Sequence, residues 1–321
     1  MWPPTTLPLV LHIPHAGTAI PSAVLDQFLS VEQIHQTVYD LTDWYTNELF
    51  RIPGCLRVET PISRIVVDTE RYIEDALESA ARFGQSVIYT HSHTTLPLRR
   101  RARRPLRRTI SEDERTELLT QYYMPWHLKL GNDIEEQRNR FGYCIIIDCH
   151  SFPSIPLPTE VSSHNPRPDI CIGTTTTNTP SWLEDAVLKG FRQQGYRCES
   201  NAPFSGSMVP SKFEGDPRVL SVMIEINRDL YLEPDDSHHS YASDRGLTLG
   251  QSENLPSQST LVGNAALTER FTTFENQSHG GNQELGTIRQ PKKSARFELL
   301  RIQITTLLLA IAQEAECRLG Q

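Results

Sequence analysis

Unbroken apolar runs and amphipathic runs follow one another along the chain. The unbroken runs lack the polar alternation of a half-exposed strand, which indicates strands buried on both faces, as in the middle of a parallel sheet. The longest lies within residues 143–151, and shorter apolar cores that polar residues interrupt or flank lie within 7–13, 63–72, 169–173 and 219–228. We therefore expect a single three-layer α/β domain, with a mixed, mostly parallel sheet and helices on both of its faces.

Helices are predicted between these strands, where apolar residues recur at 3.6-residue spacing. The first begins after a Ser30 cap and extends to about residue 51, because Pro53 follows there. Its buried stripe leaves out Asp40 and Asp43, so periodicity alone gives neither residue a role. Another helix begins at residue 111, and Pro125 is expected to interrupt it before a second helix that ends near residue 140.

A change of composition after residue 232 divides the chain. Residues 1–232 are expected to form the main α/β domain. Ser, Gln, Asn, Gly and Thr dominate residues 233–292, which is typical of a disordered insertion. Residues 293–321 return to helical apolar spacing, and we expect a helix over 294–319 that packs back on the sheet. Its predicted buried face consists of Phe297, Leu300, Ile304, Leu307, Leu308 and Ile311.

Size, charge and cysteine usage narrow the class of protein. The 321 residues suffice for one large α/β domain, and the net charge of -8 argues against a nucleic-acid-binding protein. Six cysteines at no metal-finger spacing are typical of reduced thiols in the cytoplasm. The chain begins with no signal layout, and no apolar run approaches the roughly 20 residues of a membrane helix. We therefore expect a cytoplasmic protein that binds neither membrane nor nucleic acid.

Chemically active side chains stand near the ends of three of the buried runs. His15 follows the first run after Pro14, and His150 lies at the end of the central one. Since open α/β sheets bind ligands beyond the carboxyl ends of their strands, both histidines are expected at this rim of the sheet. Glu225 lies within the last apolar run, where an ionised carboxylate is costly unless it is paired or functional. We expect Glu225 to face the same cleft as His150.

Two histidines, a carboxylate and a water are the usual ligands of a catalytic zinc ion, whereas a structural site uses four protein ligands. His15 and His150 supply the imidazoles, and either Asp40 or Asp43 can supply the carboxylate. A bound zinc ion lowers the pKa of its water to about 7 and polarises a carbonyl group. Glu225 then suits the role of a separate base toward that water.

Arg64 and Arg71 flank the apolar run at 63–72. A guanidinium group binds a carboxylate through two parallel N–H donors, so both residues suit a clamp for an anionic substrate. The alternative is that they form structural ion pairs with Asp68 and Glu70. Together with a metal-bound water and a base, the clamp describes hydrolysis of an amide bond in a small carboxylate-bearing molecule.

Seven arginines occur among residues 99–108. We expect a solvated, mobile loop there, because the run holds no aromatic residue for base stacking and the rest of the chain is acidic. A non-catalytic scaffold that binds a partner through this run and the polar insertion is one alternative to an enzyme. A second alternative makes Cys149 a nucleophile beside His150, although adjacent strand residues point to opposite faces.

Eight blocks between about residues 9 and 231 together resemble the N-formylglutamate amidohydrolase family. In chain order they are His12-Ile-Pro-His15-Ala-Gly17, Thr42-Asp-Trp-Tyr-Thr46 with Leu49-Phe50, Ser63-Arg-Ile-Val-Val-Asp68-Thr-Glu-Arg71, Tyr122-Tyr-Met-Pro-Trp-His127, Ile147-Asp-Cys-His150-Ser-Phe-Pro153, Arg167-Pro-Asp-Ile-Cys-Ile-Gly173, Asn201-Ala-Pro-Phe-Ser-Gly206, and Ile224-Glu-Ile-Asn-Arg228 with Leu230-Tyr231.

The resemblance implies a phosphorylase/hydrolase-like α/β fold similar to zinc carboxypeptidases, one divalent metal, expected to be Zn²⁺, and release of formate from N-formyl-L-glutamate or a related small anionic N-acyl amino acid. By position, His15 and His150 match the family's metal-binding histidines, and Glu225 matches its carboxylate on the last core strand. Asp43 is the expected third ligand, because the family's Asp-aromatic block falls there. The expected substrate contacts are Arg64, Arg71 and Asn201.

Two features depart from the family pattern. Glu70 stands where many members carry Asn before Arg71, which changes the expected substrate clamp. The arginine run and the polar insertion are not features of the family's core. A zinc amidase or carboxypeptidase-type enzyme with a different substrate therefore stays an alternative.

Overall fold

The fold is built on one central sheet. A computed structural model describes residues 7–96, 99–160, 166–234 and 285–320, without the side chains of residues 95–102. Its strands are Leu9–Ile13 (β1), Leu56–Glu59 (β2), His91–Leu96 (β3), Arg99–Pro105 (β4), Cys144–Phe152 (β5), Ile170–Gly173 (β6), Cys198–Ser200 (β7) and Val219–Asn227 (β8). Its α-helices are Val31–Leu41 (α1), Thr46–Leu49 (α2), Glu112–Leu118 (α3), Met124–Phe141 (α4), Ser181–Gln193 (α5) and Phe297–Leu319 (α6).

Six strands form the sheet in the order β2-β1-β5-β8-β6-β7. Neighbouring strands are parallel except β6 and β8, which are antiparallel. The carboxyl ends of β1, β5 and β8 consequently lie at the same rim. The expected mixed, mostly parallel sheet of a single α/β domain is confirmed.

Side-chain alternation along the strands divides the core into layers. Leu9, Leu11 and Ile13 of β1 pack into the cluster that contains the buried sides of α5 and α6. Val10 packs into the opposite cluster, together with Trp126 of α4. Helices therefore cover both faces of the sheet, as predicted. A further cluster joins α1 to buried residues around 65–67 and 87–89.

The prediction of one continuous helix over 30–51 is wrong. Ser30 does cap the helix by accepting a hydrogen bond from the amide of Gln33, but α1 ends at Leu41. Thr42 takes an extended conformation with ψ 134°, and its hydroxyl donates to the carbonyl of Val38, one of the last unsatisfied carbonyls of the helix. The short helix α2 begins after a loop at residues 42–45, and that loop carries Asp43.

The predicted strand at 63–72 is also wrong. The amide of Val66 donates to the carbonyl of Ser63, which closes a turn inside the apolar run. Ile65, Val66 and Val67 are buried, but they pack against α1 and not within the sheet. Apolar content identified these residues as buried and did not determine their backbone conformation.

The arginine run forms a strand, so the prediction of a mobile loop is wrong. β4 pairs with β3 in an antiparallel hairpin. Beyond it, Arg107 is buried and donates to the side chain of Gln27 at 2.6 Å and to the carbonyl of Ile65 at 2.9 Å. Burial lowers the pKa of Arg107 to about 10.

Pro125 does not interrupt its helix, contrary to expectation. Ser111 and Glu114 form a complete capping box at the start of α3. A π-helical turn at Leu119–Tyr123 then leads directly into α4, and Pro125 lies in the first turn of α4. The helical path therefore continues past Pro125, although its hydrogen-bond pattern changes from α to π just before that residue.

The C-terminal helix α6 packs on the sheet against α5 and α2. Its buried side includes all six residues expected from the sequence, together with Ala312 and Ala315. Residues 235–284, which make up most of the predicted disordered insertion, lie outside the described residues, so the proposed division of the chain stays a prediction. Among the described residues, no helix has the length and apolar content to cross a membrane. The cytoplasmic location stays a prediction.

Candidate active site

His15 lies just beyond the carboxyl end of β1 and is buried. Its Nε2 atom donates to Asp68 Oδ1 at 2.9 Å, so in the neutral ring the Nδ1 atom carries the free lone pair. That Nδ1 atom is buried with no hydrogen-bond partner among the described residues. Gly17 is required in the following turn, because a Cβ atom there would lie 2.4 Å from the carbonyl oxygen of Thr60.

His150 extends from β5, next to β1 in the sheet. Its Nε2 atom lies 2.9 Å from Asp148 Oδ1 and 3.1 Å from Glu70 Oε1. Its Nδ1 atom lies 3.0 Å from Asp43 Oδ2. Burial opposes the charged form of His150, but the carboxylates of Glu70 and Asp148 outweigh burial and raise its pKa well above the usual range. The negative potential that favours the protonated form of His150 also favours binding of a metal cation.

His15, Asp43 and His150 form a candidate metal centre. One donor atom from each lies within 4.8 Å of the others, and all three residues are buried. The Nδ1 atom of His15 is 3.7 Å from Asp43 Oδ2, the same oxygen that lies 3.0 Å from His150 Nδ1. Two imidazole nitrogens and one carboxylate oxygen suit a catalytic Zn²⁺ ion.

Each of these two histidines donates a hydrogen bond from Nε2 to a carboxylate. Asp68 accepts the Nε2 proton of His15, and Asp148 accepts that of His150. Carboxylates in this position fix the tautomer and ring orientation of metal-binding histidines. Burial would raise the pKa of Asp68, but Arg64 and His15 outweigh it and hold the pKa well below its usual range.

A second group of possible ligands adjoins the first and shares His150. It contains His12, Glu70 and Asp148, with donor atoms again within 4.8 Å. The Nδ1 atom of His12 donates to Asp148 Oδ1 at 2.6 Å. Hydrogen bonds from His12 and His150 therefore satisfy Asp148 Oδ1 in this group. Each group leaves one histidine nitrogen without a hydrogen-bond partner among the described residues, His15 Nδ1 in the first and His12 Nε2 in the second.

Glu225 lies on β8 directly beside His150 on β5, because the two residues are partners in the strand register. Burial raises the pKa of Glu225 to about 7, and the negative charges of Asp43 and Glu70 add to this effect. The positive charges of His150 and Arg228 oppose it. Its Oε2 atom is buried without a hydrogen-bond partner among the described residues. A carboxyl group with these properties suits proton transfer near neutral pH.

The three expected substrate contacts lie in different surroundings. Arg64 donates to Asp68 Oδ2 through Nε at 3.0 Å and Nη2 at 2.8 Å, which is the structural pair considered from the sequence. Arg71 donates to Glu78 Oε1 at 3.2 Å. Asn201 is exposed, and its side-chain amide donates to the hydroxyl of Thr174 at 2.8 Å.

Asp40 lies apart from His15 and His150. Its Oδ2 atom is 2.7 Å from His93 Nε2 and accepts a hydrogen bond from Gln36 at 2.8 Å. Asp43, on the loop after the same helix, approaches both histidines. Glu70 approaches them too, with Oε2 at 3.6 Å from His15 Nδ1 and Oε1 at 3.1 Å from His150 Nε2.

The sequence pattern did not identify several residues of this site. Asp148 lies two positions before His150, so strand alternation places both side chains on one face, and that signal could have found it. Asp68, His12 and Arg228 had no comparable local signal, because their contacts depend on segments distant in the chain.

Known proteins share this fold and these segments. A family model described as N-formylglutamate amidohydrolase matches residues 7–232. N-formylglutamate deformylases of Pseudomonas putida and Pseudomonas aeruginosa are 28% and 26% identical to this chain, and the matches cover 71% of this chain and 82% and 83% of theirs. The crystal structure of N-formylglutamate amidohydrolase from Ralstonia eutropha JMP134 has a TM-score of 0.64 at 19% identity and covers 98% of this chain and 96% of that one.

A second solved structure, a gene product from Agrobacterium tumefaciens, has a TM-score of 0.53 at 22% identity and covers 70% of this chain and 82% of that one. Both solved structures are similar in fold. The family model spans well over half of the chain and includes all the residues of the candidate metal centre. The match sets aside the non-catalytic scaffold alternative, and the chain belongs to the N-formylglutamate amidohydrolase family.

Proposed function

We propose that this amidohydrolase uses one divalent cation, most simply Zn²⁺, to hydrolyse the amide bond of N-formyl-L-glutamate or a related N-acyl acidic amino acid. The observation that carries the proposal is the convergence of His15, Asp43 and His150, with Glu225 in register beside His150. The names of the two Pseudomonas relatives support the substrate class.

His15 Nδ1, Asp43 Oδ2 and His150 Nδ1 are the atoms that would hold the cation. When bound, the cation supplies a Lewis acid that polarises the scissile carbonyl and acidifies a water molecule. Asp68 and Asp148 keep the Nε2 protons of the two histidines, so the Nδ1 lone pairs stay directed toward the cation site.

Glu225 is the proposed general base. Its carboxyl group accepts a proton from the attacking water and returns it to the amine that leaves, so one residue serves both proton transfers. Burial favours this exchange, because it raises the pKa of the carboxyl group from its usual acidic value toward neutrality.

Arg71 is the better placed of the two arginines for an anionic substrate. Its side chain is 29% exposed, whereas that of Arg64 is 16% exposed and held by two hydrogen bonds to Asp68. The Nε atom of Arg71 makes no hydrogen bond among the described residues, although it forms an ion pair with Asp68 Oδ2 at 3.6 Å. We infer that Arg71 contacts the substrate carboxylate, while Arg64 stabilises Asp68 behind His15.

Metal analysis combined with a formate-release assay on N-formyl-L-glutamate and other N-acyl amino acids tests the proposal. We expect one bound cation per chain and formate release that stops when a chelator removes the cation. His150→Ala should lose both the cation and activity, whereas Glu225→Gln should keep the cation and lose turnover by roughly 100-fold or more.

His35→Ala is the matched control, because His35 lies on α1 and contacts the carbonyl of Leu285, outside the site. It should keep both the cation and formate release. Full activity in the chelator-treated protein would refute the metal-dependent mechanism, and absence of any acid release across the substrate series would refute the substrate class.

A further inference from the structure

The expected carboxylate ligand lies on a loop and not on a regular element. Asp43 belongs to residues 42–45, between the last turn of α1 and the first turn of α2. Its backbone amide donates to the carbonyl of His15 at 3.0 Å, so the loop is tied to the other ligand segment. This bond fixes the backbone and leaves the side-chain torsions of Asp43 free. A ligand on a loop needs side-chain support to hold its geometry.

Arg228 provides that support from the end of β8. Its Nη2 atom donates to Asp43 Oδ1 at 3.1 Å, and its Nη1 atom donates to the backbone carbonyl of Asp40 at 2.8 Å. On its other side, Nε donates to the hydroxyl of Ser151 at 3.2 Å and Nη2 approaches the Ser151 carbonyl at 3.3 Å. One planar guanidinium therefore joins the Asp43 loop to the residue after His150.

The two carboxylate oxygens of Asp43 consequently have different partners. Oδ1 accepts the hydrogen bond from Arg228, whereas Oδ2 faces the Nδ1 atoms of His150 at 3.0 Å and His15 at 3.7 Å. A carboxylate held by one oxygen can present the other in a fixed direction. Without the guanidinium, rotation of the Asp43 side chain would exchange or withdraw Oδ2.

Tyr231 holds the same loop one residue further along. Its hydroxyl donates to the backbone carbonyl of Trp44 at 2.8 Å, and both residues are buried. Arg228 and Tyr231 are the two ends of the turn that follows β8, the strand that carries Glu225. The segment that positions the base thus also holds the loop of the ligand carboxylate.

We propose that Arg228, assisted by Tyr231, is a positioning residue that orients the Asp43 carboxylate toward the two histidines and thereby sets the affinity of the site for a divalent cation. This inference rests on the cation assigned under the proposed function. It does not depend on the identity of the substrate.

Charge and geometry make opposite predictions for Arg228. A positive guanidinium near a cation repels it, so a purely electrostatic role would make removal of Arg228 strengthen cation binding. A positioning role predicts weaker binding after removal. The Arg228→Lys substitution distinguishes the electrostatic role from the positioning role. The lysine ammonium group keeps the charge but cannot reproduce the planar guanidinium that reaches Asp40, Asp43 and Ser151 together.

The experiment measures the affinity of the chelator-stripped full chain for Zn²⁺ by competition with a chromophoric chelator. Arg228→Gln and Arg228→Lys should each weaken Zn²⁺ binding by roughly 10- to 100-fold, the range for partners that orient metal ligands. Tyr231→Phe should weaken it by a smaller factor, because its bond acts on the loop backbone only. Circular dichroism melts confirm that each variant is folded.

Arg138→Gln is the matched control. Arg138 is a partly buried arginine of α4 that donates to Asp216 at 2.7 Å, outside the site, so its loss should leave Zn²⁺ affinity unchanged. The Co²⁺-substituted protein gives a second readout. Its visible spectrum should change in Arg228→Gln and stay as in the parent in Arg138→Gln.

The outcomes distinguish this inference from the function on which it rests. If the unaltered chain binds no Zn²⁺, both are overturned. If the unaltered chain binds Zn²⁺ while Arg228→Gln binds it equally or more tightly, only the positioning role is overturned. Parent-like affinity in Arg228→Lys would also overturn it, because charge alone would then suffice.

Discussion

Cys149 and His150 are adjacent in β5 but have different surroundings. His150 faces the candidate metal centre, whereas Cys149 packs in the apolar cluster on the opposite side of the sheet. Its thiol donates to the carbonyl of Ile147 at 3.1 Å. Burial raises the pKa of Cys149 well above its usual range, so the reactive thiolate is disfavoured. The alternative that made Cys149 a nucleophile loses its physical basis.

Cys149→Ser should therefore retain the kcat/KM for formate release. The serine hydroxyl is close in size to the thiol and can donate to the same carbonyl of Ile147, so the substitution keeps the local hydrogen bond. Steady-state kinetics of the parent and the variant check the prediction. A collapse of kcat in a variant that still binds its cation and melts normally would restore the nucleophile hypothesis.

At the residue scale, the sequence predicts which side chains are chemically active better than it predicts which residues they contact. His15 and His150 could be selected because each stands at the carboxyl end of an apolar strand, and Glu225 because it is charged inside one. Asp43 could not be preferred to Asp40 by periodicity, since both fall off the buried stripe of one predicted helix. The structure separates them because α1 ends at Leu41, an end decided by the hydroxyl of Thr42 and by the amide of Asp43 bonding to His15.

At the element scale, apolar runs predict burial more reliably than backbone conformation. β1, β5, β6 and β8 lie where the sequence places them. The run at residues 65–67 is equally buried but forms a turn against α1. A short apolar run predicts burial but does not determine whether its residues join a sheet or pack on a helix. Beside this run, the charged residues Arg64 and Asp68 pair with each other.

The helix α6 provides the prediction at this scale. Leu308 is fully buried and Leu309, its neighbour, is 44% exposed, so the two form a matched pair on one helix. Leu308→Ala should lower the free energy of unfolding by about 3 kcal/mol, because the apolar transfer energy is lost and a cavity remains. Leu309→Ala should change it by less than about 0.5 kcal/mol. Denaturant melts measure both.

A loss in Leu308→Ala no larger than that in Leu309→Ala would contradict the packing of α6 on the sheet. The comparison is a strict one, since the two variants share composition, charge and helix propensity. It also tests the 3.6-residue apolar spacing that predicts the buried face of α6.

At the scale of the whole molecule, the site joins segments that are far apart in the chain. His15, Asp43, Asp68, His150 and Arg228 meet only because β1, β5 and β8 end at one rim of a parallel sheet. The position of this rim could be predicted, because polar residues follow the apolar strands in the sequence. The orienting bonds of Asp68 and Arg228 were not, since they depend on loops whose conformation no local pattern determines.

The stability of the whole molecule should depend on pH through His127 of α4. Its Nε2 atom donates to the carbonyl of Thr69 at 2.8 Å, and its ring packs on Tyr123 with centroids 4.1 Å apart. Burial lowers the pKa of His127 to about 4, and nearby His12 adds to this effect. In the unfolded chain a histidine has a pKa of about 6.5. Between these values the unfolded state binds a proton that the folded state does not.

This difference makes the folded state lose stability as the pH falls from about 6.5 to about 4, by on the order of 3 kcal/mol in total. His127→Gln should retain a donor to Thr69 but remove the titration. Urea melts with a chelator present, which excludes cation effects, should therefore show a shallower decline for the variant than for the parent. Near pH 7.5, where the imidazole is neutral in both states, the comparison reports only lost contacts. Parallel declines of the two proteins below pH 6.5 would show that His127 is protonated in the folded state.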